Sequence, residues 1–183
     1  MSANLDVTLS KKPMNVIIIA IDHYLQLLES ESDTMPLRAS KTRLREILET
    51  QLRAGNVTRV FEESSPNKES IAARLAYLRD PRIPWDNIHM TEAERKAAGI
   101  YEALLNRPGS PDDAMEYTIE HRIPEDEVRE EYFTSRILAE TRPDSTVLVL
   151  IGDMHVLPIA DRLRASGHTV EILSELVPVK RWR

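Results

Sequence analysis

A chain of 183 residues with no cysteine and a formal net charge of −6 is long enough for one domain whose core needs no covalent staples. The absence of cysteine excludes thiol nucleophiles, thiolate metal sites and disulfides, and the expected compartment is a reducing one, the cytoplasm. The acidic balance argues against a nucleic-acid surface, which needs a concentrated basic field that Lys180, Arg181 and Arg183 are too few to supply.

Residues 1–14 carry Lys11 and Lys12 but no apolar stretch leading to a cleavage site, so they read as a flexible leader rather than a secretory signal, with 15–183 as a single soluble α/β domain. Val16 to Ile21 is a continuous, mostly β-branched run, the pattern of a strand buried on both faces of a parallel sheet. From Leu37 to Leu52, apolar residues at Leu37, Leu44, Ile47, Leu48 and Leu52 have helical spacing, and Gly55 follows as a stop. Val57 to Phe61 is a second strand, closed by the polar cluster Glu62, Glu63, Ser64, Ser65 and Pro66. Ser65 and Pro66 open a helix carrying Ile71, Leu75 and Leu78, which Pro81 and Pro84 end. The stretch that follows carries no clear signal.

Thr91 with Glu94 three residues later is a capping-box pattern, and Ala97, Ala98, Tyr101, Ala103, Leu104 and Leu105 supply a helix behind it, ended by Pro108, Gly109 and Pro111. Pro124 starts a further helix with Val128, Tyr132, Ile137 and Leu138, failing near Pro143. Val147 to Ile151 is the third strand. Gly152 begins a turn, Leu157 to Ala165 is a helix stopped by Gly167, and Thr169 to Leu173 is the fourth strand. Alternation of strand and helix predicts an α/β fold: a mostly parallel central sheet of about four or more strands flanked by helices. The longest apolar runs are far shorter than the roughly 20 residues of a membrane helix, so neither a span nor a membrane partner is expected.

Two segments are internally similar. Aligning His23 with His155 pairs Val16 to His23 with Leu148 to His155, each an apolar strand, a small residue (Ala20, Gly152), two further residues and a histidine. In open α/β sheets ligands bind beyond the carboxyl ends of the strands, where both histidines should emerge. Glu62 and Glu63 follow another strand and should reach the same edge. His23, His155, Asp22, Asp153 and Glu62 form a candidate donor set for Mn, Zn or Fe, which would polarise a carbonyl or activate water. A metal-free site is equally consistent with these residues, with a histidine oriented by a carboxylate as general base. Each also has a structural alternative: Asp153 as a helix cap, Asp22 as an exposed residue, the glutamates as a solvated turn, either histidine as a hydrogen-bonded structural residue. His89, His121 and His168 lie in loop-like or exposed contexts and are expected to be unremarkable. No glycine-rich phosphate loop follows the first strand and no serine elbow occurs, which argues against nucleotide binding and serine hydrolysis.

At these same residues the chain resembles a known group. Val147 to Ile172 resembles the closing block of TraB and Tiki proteins, a strand, Gly-x-x-His, an amphipathic helix and a glycine before a last strand; these belong to a wider group with ChaN and the erythromycin esterases. Ile19-Ala-Ile-Asp-His23 is similar to the opening Gly-x-x-His block, with Ala20 in place of glycine. Val60-Phe-Glu-Glu-Ser64 is similar to the strand ending in glutamate, and Arg129-Glu-Glu-Tyr-Phe133 to an Arg-Asp/Glu-x-x-Met signature, with Phe133 where methionine is usual. The resemblance implies an α/β fold with paired histidines, a glutamate and an arginine facing one pocket, and in some members metal-dependent hydrolysis of peptides or esters; other members bind iron or haem.

The expected function is that of a hydrolase acting on a peptide, ester or related small substrate, with His23, His155, Glu62, Glu63 and Arg129 as catalytic candidates and a divalent metal ahead of haem as cofactor. Arg129 would stabilise an anionic group or a developing oxyanion, and Arg136 falls on much the same helical face. The alternatives are a non-catalytic metal- or haem-binding module, and a scaffold that keeps the fold and uses Trp85 or Trp182 as interface anchors.

Overall fold

The computed structural model describes residues 12–54, 56–64, 69–100 and 124–173. Five strands, β1 (Asn15–Ile21), β2 (Val57–Glu62), β3 (Trp85–Asn87), β4 (Thr146–Gly152) and β5 (Thr169–Leu173), form one all-parallel sheet in the order β3-β2-β4-β1-β5. The described helices are α1 (His23–Gln26), α2 (Met35–Arg53), α3 (Ile71–Arg79), α4 (Glu92–Ala97), α5 (Pro124–Glu140) and α6 (Asp153–Ala165). This is the expected α/β fold, with β3 as an added edge strand and α1 as an added turn of helix.

The apolar runs are continuous because the central strands are covered on both faces. On one face Ile19, Ile21, Val60, Leu148 and Leu150 pack with Leu44, Ile47, Leu48 and Leu52 of α2 and Ile71, Ala72 and Ala76 of α3. On the other, Val16, Ile18, Ala20, Phe61, Val147, Val149 and Ile151 pack with Phe133 and Ile137 of α5 and Val156, Ile159, Ala160 and Leu163 of α6. Period-two alternation sends successive residues of one strand to opposite cores. No helix among the described residues is long and apolar enough to cross a membrane.

Local signals set the helix starts. Thr91 and Glu94 form the expected capping box, and the Ser70 hydroxyl caps α3 by accepting from the Ala73 N–H. The Ser65-Pro66 opener, the Gly55 stop, the Tyr101 to Leu105 segment, most of the leader and Trp182 lie outside the described residues. Leu78, expected on the buried face of α3, is exposed. Helix α6 begins at Asp153, four residues ahead of the expected Leu157, and carries Pro158 inside it. That proline gives up one ladder bond near the helix start, and the early start places His155 in the first turn.

Chain connections make the carboxyl edge of the sheet the place for a site. Neighbouring β1 and β4 run parallel, yet the chain leaves β1 toward the α2 face and leaves β4 toward the α6 face. Their ends therefore diverge at a topological switch point, where a crevice opens.

Candidate functional site

The centre of the cluster is Glu63. Its backbone N–H continues the ladder beyond β2, donating to the Leu150 carbonyl at 2.9 Å. The pleat sends Glu62 toward α3 and Glu63 toward α5, and both are fully buried. Arg129 of α5 donates through Nη2 to Glu63 Oε1, and the Gly152 N–H donates to Oε2 at 3.3 Å. His23 Nε2 lies 3.8 Å from Oε2 and His89 Nδ1 3.9 Å from Oε1.

Burial is the largest influence on the Glu63 carboxyl and pushes it toward the neutral form. The charges of Arg129, His155 and His23 and the Gly152 N–H together outweigh burial and hold it below the ordinary carboxylate range. For His89 burial wins instead and, with Arg129, Arg95 and His23 nearby, lowers its affinity for a proton despite Glu63.

Helix α5 brings Arg129 and Glu130 to the cluster, and its buried stripe changes character along its length. Asp126, Glu130, Phe133, Thr134 and Ile137 are all buried, at helical spacing, polar toward the sheet's carboxyl edge and apolar beyond it. The Arg129 guanidinium also lies 3.6 Å from Asp126 Oδ1 and 5.7 Å over the Phe133 ring. His155 is buried, with Nδ1 3.1 Å from Glu130 Oε1 and its ring edge-on to Phe133 at 5.8 Å. Phe133 thus packs against both Arg129 and His155.

Gly152 has a steric reason to be glycine. Its φ of −56° suits any residue, but a Cβ there would sit 3.2 Å from His23 Nε2 and 3.5 Å from Glu63 Oε2. The absent side chain lets these two groups approach across the end of β4.

His23, Glu63, Arg129 and His155 of the expected residues come together. Asp22 is exposed and caps α1, accepting from the Tyr24 N–H at 3.0 Å. Asp153 opens α6 and is half-buried. Glu62 belongs to the α3 side, where Oε2 accepts from Ser70 Oγ at 2.5 Å and from Trp85 Nε1 at 2.7 Å, and the Gln26 amide lies beside the same carboxyl. Burial pushes the Glu62 carboxyl up, against the pull of those donors. Trp85, considered as an interface anchor, is half-buried and serves Glu62. Arg136 bonds Glu140 at 2.6 Å and the Tyr132 hydroxyl at 3.1 Å rather than Glu63.

Three contributors, His89, Gln26 and the Gly152 N–H, carry no signal of their own in the sequence. His89 was expected to be unremarkable; it reaches Glu63 because β3 pairs with β2 and carries the chain to the same edge, and β3 has no periodicity of its own. His168 is half-buried and accepts from the Met14 N–H at 3.3 Å, far from this cluster in the topology; His121 lies outside the described residues. Gln26, on a single turn of helix, and the Gly152 N–H left no signal either. The aligned histidine segments are one residue out of step in space, since Ile21 pairs with Gly152 and not with Asp153.

Among the described residues no three His, Asp or Glu side chains are grouped to hold a metal ion. Glu63 already spends one oxygen on Arg129 and the other on the Gly152 N–H. What the arrangement can do is move a proton: a solvent-facing imidazole stands beside a buried anion that a cation holds in place. The chain matches no protein-family model, no curated protein and no solved structure.

Proposed function

We propose that this chain is a small hydrolase in which His23 transfers protons during cleavage of a peptide, ester or related small substrate. The observation that carries this reading is the position of His23, with 55% of its side chain exposed, 3.8 Å from a carboxylate with no exposed surface. Nε2 takes a proton from the attacking water, and the positive charge that appears on the ring is offset by Glu63. The same proton then passes to the leaving group. Imidazole suits both steps because, as a class, it titrates near neutrality.

Arg129 acts in this scheme through Glu63, holding it ionised and in place. His155, buried against Glu130 and Phe133, stands behind the cluster. The resemblance to the TraB, Tiki, ChaN and erythromycin esterase group supports the reading, since both histidines, the arginine and one of the two glutamates in its matched segments meet at this edge. The Mn, Zn or Fe expected from the sequence lacks a three-donor set among the described residues, and proton transfer is therefore assigned to His23 itself.

The test is hydrolysis of a panel of nitrophenyl esters and short peptide anilides by wild type, His23→Ala and Glu63→Gln, with His168→Ala as control. Removing a positioned general base is expected to lower kcat/KM by about 10² to 10⁴, with the control unchanged. Full activity in folded His23→Ala would remove this reading, and no turnover across the panel would favour a binding module.

A further inference from the structure

Gln26 is buried, with 1% of its surface exposed, and its amide bridges two parts of the candidate site. Nε2 donates to the backbone carbonyl of Glu63 at 2.8 Å, and Oε1 lies 3.0 Å from His23 Nδ1. A backbone carbonyl only accepts, so the end of the amide that meets it must be the NH₂ group. The oxygen then necessarily faces His23. An amide oxygen also only accepts, which requires Nδ1 of His23 to carry a hydrogen. In the neutral ring Nε2 is left with the lone pair.

Glu63 does not compete for this assignment. At 3.8 Å its Oε2 is beyond hydrogen-bond reach of Nε2, and its two oxygens already accept from Arg129 and the Gly152 N–H. Asp22, next to His23 in sequence, is turned to the Tyr24 N–H. A histidine free in water favours the opposite tautomer, with the hydrogen on Nε2, so the protein has to supply the acceptor that reverses the preference.

We infer that Gln26 is a positioning residue that holds His23 in its Nδ1–H tautomer and so makes Nε2, the atom facing Glu63 and the end of β4, the proton acceptor. Its catalytic meaning rests on the reading of His23 as the proton-transfer group, but the tautomer is a property of the resting protein and is measurable without turnover. Because Gln26 also holds the Glu63 carbonyl, one amide couples ring orientation to the chain segment that carries the buried carboxylate.

The experiment is long-range proton–nitrogen correlation NMR on full-length protein with nitrogen-15 histidine, recorded on the alkaline plateau of the His23 signals, which are assigned by their loss in His23→Ala. Wild type should show a protonated Nδ1 and a lone-pair Nε2. Gln26→Met, which removes both contacts at similar volume, should shift His23 toward the Nε2–H form, whereas Gln26→Glu, which retains an acceptor, should keep Nδ1 protonated. An Nε2–H ring in wild type, or an unchanged tautomer in folded Gln26→Met, overturns the inference. Should Gln26→Met not fold, the wild-type spectrum alone decides. Turnover separates this test from the hydrolase reading: a tautomer change without loss of kcat sinks the role of His23 and leaves that of Gln26, and the reverse pattern sinks Gln26 alone.

Discussion

Arg129 and Glu63, 66 residues apart in the chain, meet as a cation with about a quarter of its side chain exposed and a carboxylate with none. A buried anion is tolerated only when paired and hydrogen-bonded. Losing the guanidinium strands the charge on Glu63.

Arg129→Ala is accordingly expected to destabilise the fold by about 3–5 kcal/mol, the usual cost of breaking a buried pair from one side. Adding Glu63→Gln to that variant should recover part of the loss, since a neutral amide needs no cation. Urea unfolding of the two single variants and the double variant measures the coupling. A loss under about 1 kcal/mol in Arg129→Ala would place the pair among ordinary surface bridges.

The two adjacent glutamates should bend the pH dependence of stability in opposite directions. Glu63 is held below its ordinary value of 4.5, so its stabilising contribution is full above that pH and is lost as the pH falls through its lower folded value. Glu62 is raised above 4.5: the unfolded chain gives up that proton first, and stability is lost as the pH rises from 4.5 through the higher folded value. Glu63→Gln should therefore flatten the acid limb, and Glu62→Gln should gain on wild type more at pH 7 than at pH 4. Denaturant midpoints across that range are the readout, and parallel curves for all three proteins would contradict it.

Gly152→Ala separates stability from function. The backbone there is acceptable to alanine, and less unfolded-state freedom favours the variant by about 0.4–1 kcal/mol. The new Cβ, 3.2 Å from His23 Nε2, must push a partly exposed ring aside by a few tenths of an ångström. Unfolding stability should stay within about 1 kcal/mol of wild type while turnover falls. Equal turnover with His23 unmoved would show that the close approach at the end of β4 has no role.

Metal addition tests the other site chemistry. With the Glu63 oxygens engaged by Arg129 and the Gly152 N–H, the proton-transfer reading expects the melting temperature to stay constant when Mn, Zn or Fe is added to chelator-treated protein. A rise that follows RT ln(1 + [L]/Kd) and vanishes in His155→Ala would instead favour a metal-binding module.

Much of the scaffold was legible in the sequence because its signals are local. The Val16 to Ile21 run is apolar without alternation because α2 and α6 cover both faces of β1, and the Thr91 and Glu94 pair marks a helix start with bonds made inside four residues. Elements too short to show a period were missed: β3 has three residues and α1 has four. Both exist through their neighbours, β3 by pairing with β2 and α1 through its Asp22 cap and packing against α2.

By itself the sequence determined that strands and helices alternate, that the two similar strand ends carry His23 and His155, and that a glutamate follows the second strand, since each of these depends on spacing along a few residues. Tertiary structure alone decided which glutamate belongs to the cluster. With side chains alternating across the pleat, a shift of one residue exchanges the α3 side for the α5 side, and Glu63 rather than Glu62 meets Arg129. The order β3-β2-β4-β1-β5 likewise decided that His89 and the Gly152 N–H arrive at the same carboxylate, because strand order is set by how two cores are buried at once and is not written in any one segment.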